Sequence, residues 1–169
     1  MSKENLTHRE AINKLKEISE KARVCLFATN LKRLPIESRP MVLKECDEDG
    51  NLWFISGSHS KKNTDIEKDN RVQLFFTNKD SSEYLSVYGH AFIYKDRKTI
   101  EEKWSNMVKP WFESKEDLSV SIIRVAPLNS YYWDTKNGKI AGILSYAWAT
   151  LTGKEDGVLD QNVEGDIKI

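Results

Sequence analysis

Two neighbouring stretches leave this chain few choices of fold. Residues 23–29 are β-rich and apolar on both alternating faces, the pattern of a strand covered on both sides. After a loop around Leu34 and Pro35, residues 38–46 and 52–56 flank the turn signal Asp47-Glu48-Asp49-Gly50, so they read as a hairpin. Strands with two apolar faces need neighbours, because a lone hairpin buries too little to stand in water. Three further strands follow at 72–76, 83–95 and 118–126, the last continuing past Pro127 through Tyr131, Tyr132 and Trp133. Gly89 marks a bulge in the fifth. Short connections favour antiparallel pairing, so the expected fold is mainly β. It is a six-stranded antiparallel barrel, packed inside and covered by helices or a second copy outside.

The helical signals are fewer. Thr7 and Glu10 form a capping box that opens a helix with Ala11, Ile12, Leu15, Ile18 and Ala22 on one face. Residues 61–68 read as a short polar helix capped by Ser60. Asp96 opens a helix in which Ile100, Trp104 and Val108 lie four residues apart and Pro110 ends it. Ile140, Leu144, Trp148 and Leu151 repeat that spacing, with Gly153 as the cap. Residues 1–153 are therefore expected as one domain, and 154–169 as a flexible acidic tail of net charge −3.

At 169 residues the chain is long enough to bury a core without staples. Lysines and arginines number 26, as do aspartates and glutamates, so there is no extended basic surface and nucleic acid is not an expected partner. No apolar run reaches the ~20 residues of a membrane helix, and nothing near Met1 resembles a signal peptide. Cys25 and Cys46 lack any CxxC context, so they are expected as buried reduced thiols, without metal, in a cytoplasmic protein.

The phosphate loops and the GxSxG elbow are missing, and His8, His59 and His90 lack metal-ligand spacing. What stands out is Ser56-Gly57-Ser58-His59-Ser60-Lys61-Lys62. Lysines are disfavoured on the first turn of a helix, whose N-terminus already carries partial positive charge. Three hydroxyls, free backbone N–H groups and two ammonium groups together would suit an anion, above all a phosphate. The plainer alternative is a solvated, Ser-capped helix. On the preceding strand, alternation sets Arg39 on one face with Met41 and Leu43, where a cation needs a partner. Arg39, Lys61 and Lys62 could form one phosphate clamp; a salt bridge from Arg39 to Glu37 or Glu45 would serve equally.

Several strings then resemble the pyridoxamine 5'-phosphate oxidase-like superfamily of FMN-binding split β-barrels, and within it the general stress protein 26 type. They are Arg39-Pro40-Met41-Val42-Leu43, Leu52 to Ser56 followed by Ser60-Lys61-Lys62, Asn70 to Phe76, Tyr88-Gly89-His90-Ala91, and the aromatic series Trp104, Trp111, Phe112 and Trp133. The resemblance implies a split barrel and a homodimer with FMN, or alternatively FAD, at its interface. Arg39, Ser60, Lys61 and Lys62 would surround the phosphate. Met41, Val42, Leu43 and Lys44 would offer backbone groups to the ring edge, with Ile55 and Ser56 beside it. Three departures matter. Tyr84 stands where the oxidases often carry a Gln, Glu113-Ser114 follows Phe112 in place of a Pro-x-Gly, and Asp134 follows Trp133 with no later Arg-x-His cluster. Pyridoxamine phosphate is thus not the expected substrate. The resemblance suggests a flavin reductase or oxidoreductase acting on a small molecule in a general stress response, with no protein acid or base assigned. The alternatives are a flavin-storing or sensing module without turnover, or a barrel that binds a protein and no flavin.

Overall fold

β-branched and aromatic residues at every second position build six long strands, and the pairing registers close them into one barrel. The computed structural model describes residues 2–3, 8–135 and 162–167. In chain order it contains β1 (Ser2–Lys3), α1 (His8–Ala22), β2 (Val24–Thr29), β3 (Glu37–Cys46), β4 (Leu52–Gly57), α2 (Lys61–Lys68), β5 (Arg71–Asn78), β6 (Glu83–Tyr94), α3 (Arg97–Lys103), β7 (Val120–Thr135) and β8 (Asn162–Ile167). The barrel runs β7-β4-β3-β2-β5-β6 and closes by β6 pairing back onto β7, every pair antiparallel. This is the six-stranded barrel the sequence predicts.

Inside it Phe27, Met41, Leu43, Phe54, Leu74, Phe76, Leu85, Val87, Ile123 and Val125 are buried, with Ala11, Leu15 and Ile18 of α1 closing one end. Phe27 and Phe54 meet edge to face, centroids 5.3 Å apart. Burying side chains of this size stabilises the fold by about 1.5–3 kcal/mol each. Cys25 and Cys46 are buried and unpaired, as expected, and burial pushes both thiols up, Cys46 to about 12.

Two bulges shape the barrel. The β6–β7 register shifts between Tyr88 and Gly89, at the expected position. A second shift falls between Leu43 and Glu45, leaving Lys44 as the extra residue of β3. A row of turn bonds organises the hairpin between β3 and β4. Asp47 accepts from the Asn51 N–H at 2.8 Å and the Trp53 Nε1 at 2.8 Å, and Gly50 takes a φ of 81°.

Three local expectations change. Arg23 ends α1 at a φ of 58°, its N–H on the Ser19 carbonyl, so the strand begins at Val24. α3 stops at Lys103, because Trp104 takes an extended backbone (ψ 144°) and only a 3₁₀ turn, Asn106–Val108, follows. Trp104 still packs beside Ile100 and Ile122, so its helical spacing marked a buried face rather than a continuous helix. Six residues of the expected tail form β8, antiparallel to the second half of β7. Thr7, the stripe at 140–151 and Gly153 lie outside the described residues. Among the described residues no helix is long and apolar enough to cross a membrane.

Candidate binding site

The barrel is split at one seam. β3 pairs with β4 only from Leu43 to Cys46, while its first half, residues 37–42, pairs with β2 alone. β4 meanwhile continues along β7 to Gly57. Beyond the Lys44 bulge the two strands part, and the edge of β3 that faces β4 carries backbone groups with no sheet partner. A cleft of about 470 Å³ opens there, within the range of small-molecule sites. Pro40, Met41, Val42, Leu43 and Lys44 form one wall, and Ile55, Ser56 and Gly57 the other. Val108, Trp111 and Phe112, from the segment after α3, form a third wall, with Trp111 69% exposed.

Lys62 reaches into this cleft from the first turn of α2. It is half-buried, and among the described residues its ammonium group meets neither a carboxylate nor a hydrogen-bond acceptor. Burial, with Arg39 nearby, holds its pKa below the ordinary lysine value. Arg39 lies on the inward face with Met41 and Leu43, as alternation predicts. Its Nη1 donates to Thr29 Oγ1 at 2.7 Å and to the Phe27 carbonyl at 3.2 Å, and Glu37 stands 3.9 Å from Nη2. The alternative salt bridge to Glu37 is thus present but loose, and Glu45 pairs with Lys103 instead.

Lys61 turns the other way. It is exposed, pairs with Glu37 and lies 3.8 Å from Asp65, facing a separate cleft with Arg33, His59 and Lys68. Of the expected clamp, Arg39 lies near enough to Lys62 to act on its charge but does not line the cleft, and Lys61 is held on the far side of α2 by carboxylates. Ser60 stands at the N-cap with the extended backbone of a cap (φ −71°, ψ 149°) but makes no side-chain cap bond, contrary to expectation. Its hydroxyl donates to Asn63 Oδ1 at 3.1 Å. The N–H groups of Lys61 and Lys62 meet no acceptor among the described residues.

Sequence reasoning missed Arg23, Ser105 and Val108, which line the cleft, and the buried Asn63 and Ser121 beneath it. Trp111 and Phe112, which belong to the aromatic series of the resemblance, do line it. Tyr84 and Trp133 are not in the cleft; they pair with each other across β6 and β7. Among the described residues the cleft contains no carboxylate or imidazole, and no group of three metal-ligating side chains occurs.

Comparison with known proteins agrees with this geometry. A family model described as "Pyridoxamine 5'-phosphate oxidase like" matches residues 10–157. Protein bli-3 of Neurospora crassa is 31% identical over 119 residues, covering 63% of this chain and 57% of that protein; the chain thus spans little more than half of that curated relative. The general stress protein 26 of Bacillus anthracis str. Sterne superposes with a TM-score of 0.62 at 28% identity, over 72% of this chain and 92% of its own. A pyridoxamine 5'-phosphate oxidase-related, FMN binding protein of Nostoc punctiforme shares the fold, with a TM-score of 0.56 at 14% identity over 79% and 86% of the two chains.

Proposed function

The chain belongs to the pyridoxamine 5'-phosphate oxidase-like family, and from that premise we propose that it binds FMN in the cleft between β3 and β4 and serves as an oxidoreductase for a small molecule. The observation that carries the reading is Lys62, a half-buried cation without a partner among the described residues, set where an apolar cleft meets open helix N–H groups. An unpaired charge in such a place is unfavourable unless a ligand completes it. A phosphate monoester fits that donor set, and the cleft's apolar walls fit a flat ring system.

In this reading Arg39 and Lys62 hold the phosphate, and the unpaired edge of β3 from Pro40 to Val42 offers backbone groups to the ring. Ile55, Val42 and Phe112 exclude water from it, and Lys44, re-aimed by its bulge, borders it. The flavin supplies hydride chemistry when bound. Ser56 and Gly57 position the phosphate end through their link to α2.

The homodimer belongs to the same proposal. On the outer face beside the cleft, Val24 pairs with Val42, and Leu26 lies between Pro40 and Phe75. Val24, Leu26, Val42 and Phe75 are each about half exposed (45–51%), an apolar row that a second copy would cover. The stress-response setting rests on the name of the Bacillus anthracis relative alone. Two unpaired buried cysteines support a reducing, cytoplasmic compartment.

Titration with FMN and with riboflavin, followed by anaerobic NAD(P)H, tests the reading. Tighter binding of FMN than of riboflavin, then bleaching of the bound flavin, is the expected result. Equal affinity for the two would remove the phosphate anchor. Binding without bleaching by any common donor would favour the second reading, a storage or sensing module.

A further inference from the structure

Asn63 is completely buried, unusual for a carboxamide on the first turn of a short helix, and both Oδ1 and Nδ2 are hydrogen-bonded. Oδ1 accepts from Ser56 Oγ at 2.9 Å and from Ser60 Oγ at 3.1 Å. Nδ2 donates to Ser121 Oγ at 2.8 Å, and that hydroxyl donates to the Ser56 carbonyl at 3.1 Å. Ser56 is next to last in β4 and Ser121 second in β7, and the two are register partners in the barrel wall. One side chain therefore bolts the first turn of α2 to two strands.

The same bonds have a second effect. A serine at the N-cap ordinarily turns its oxygen to an N–H of the first turn and satisfies it. Ser60 has the backbone for that role and does not perform it, because its hydroxyl is drawn to Asn63. Among the described residues the Lys61 and Lys62 N–H groups meet no acceptor, on the same turn from which the Lys62 side chain enters the cleft. We propose that Asn63 is a positioning residue for the anion, which keeps α2 uncapped by holding Ser60 aside. On this account Ser60 contributes to binding by being withheld from the helix end rather than by touching the ligand. The inference rests on the phosphate reading of the site, and it extends to any phosphate monoester or inorganic phosphate.

In Asn63→Ala the Ser60 hydroxyl is released to cap α2 and competes with the ligand. FMN affinity should fall about fivefold, the worth of one helix cap, while riboflavin affinity stays unchanged. Adding Ser60→Ala removes the competitor and should restore most of the FMN affinity. A merely structural role for Asn63 would weaken FMN and riboflavin alike and show no rescue, and either result overturns the proposal. Ser121→Ala, which loosens Asn63 without removing it, should move the FMN-to-riboflavin ratio in the same direction by a smaller factor. It serves as the test if Asn63→Ala does not fold, and an unchanged ratio there counts against the proposal. Backbone amide NMR with inorganic phosphate separates this inference from the flavin reading. Shifts at the Lys61 and Lys62 amides in the wild type, lost in Asn63→Ala, uphold it even if FMN does not bind. Amides that do not respond to phosphate in the wild type would sink it whatever FMN does.

Discussion

On one side of α2, Lys61 faces Glu37 and Asp65, Asp65 accepts from Thr29 at 2.8 Å, and Thr29 accepts from Arg39. Lys61, Asp65 and Arg39 each have a partner there. On the other side Lys62, one residue on, enters a cleft lined by Met41, Ile55 and Phe112, where the charged residues described, Arg23 and Lys44 in the lining and Arg39 nearby, are all cations. Both lysines stand where the helix end already disfavours positive charge. The first is compensated by carboxylates and reads as structure. The second is compensated by nothing among the described residues and reads as a receptor. Within one turn of helix the difference between a stabilising ion-pair network and a binding group is whether a carboxylate was provided.

The largest effect expected should ignore this contrast. A Cβ at Gly89 would lie 3.0 Å from the Pro127 Cα and closer still to the Ala126 carbonyl oxygen, across the bulge that joins β6 to β7. Gly89→Ala should destabilise the barrel by about 3 kcal/mol, a drop of roughly 10 °C in Tm by calorimetry. Its flavin affinity, measured where the variant is still folded, should match the wild type; a selective loss of FMN would mean that the seam and the cleft are coupled.

Lys62→Met comes next and tests the contrast directly. FMN affinity should fall about 10- to 100-fold, as for one lost ionic hydrogen bond, with riboflavin affinity and Tm little changed. The pH dependence follows from the lowered pKa of Lys62. Between that value and the ordinary lysine pKa of about 10.4, the unfolded chain keeps a proton that the folded chain has lost. The destabilisation from the buried charge is thus fully present below the lowered pKa and relieved as pH rises through the window. Bound phosphate draws the proton back onto the amine, so FMN affinity should decline across that same window in the wild type. Isothermal titration should show that decline vanish in Lys62→Met.

The smallest effect belongs to Lys61→Met. Its ammonium group is exposed and screened by water, so unfolding free energy should change by less than about 1 kcal/mol in denaturant titration. FMN affinity should stay within about threefold, the slack left by loss of a distant screened charge. A loss as large as that of Lys62→Met would erase the distinction between the two sides.

The six strands were legible because each keeps apolar residues on one face or on both over five or more positions, and Gly89 was legible because only glycine tolerates that approach. The inward face shared by Arg39, Met41 and Leu43 followed from the period of two. The direction of the two lysines was not legible. Successive helical residues point about 100° apart, and which of them meets Glu37 depends on how α2 sits against β3. Asn63 and Ser121 carried no signal, since small polar residues in a helix and a strand 58 positions apart look ordinary until the fold brings them together. The end of α3 misled because Trp104 and Val108 keep helical spacing while the backbone between them does not.

β7 has one more consequence, and it concerns the order of events during folding. This 16-residue strand is the last of the barrel to be made, and it supplies Ser121 to the anchor of α2. Its partners on β4 lie more than sixty residues earlier, a pairing that is slow because a long loop must close before any contact rewards it. A chain emerging from synthesis can therefore form the hairpin of β3 and β4 and the helix α2 early, yet it has no fixed cleft mouth until β7 docks. Barrel closure and assembly of the cleft are one step, so under the proposed function a nascent or partly unfolded copy would hold no flavin. Ligand in turn drains the open form by mass action.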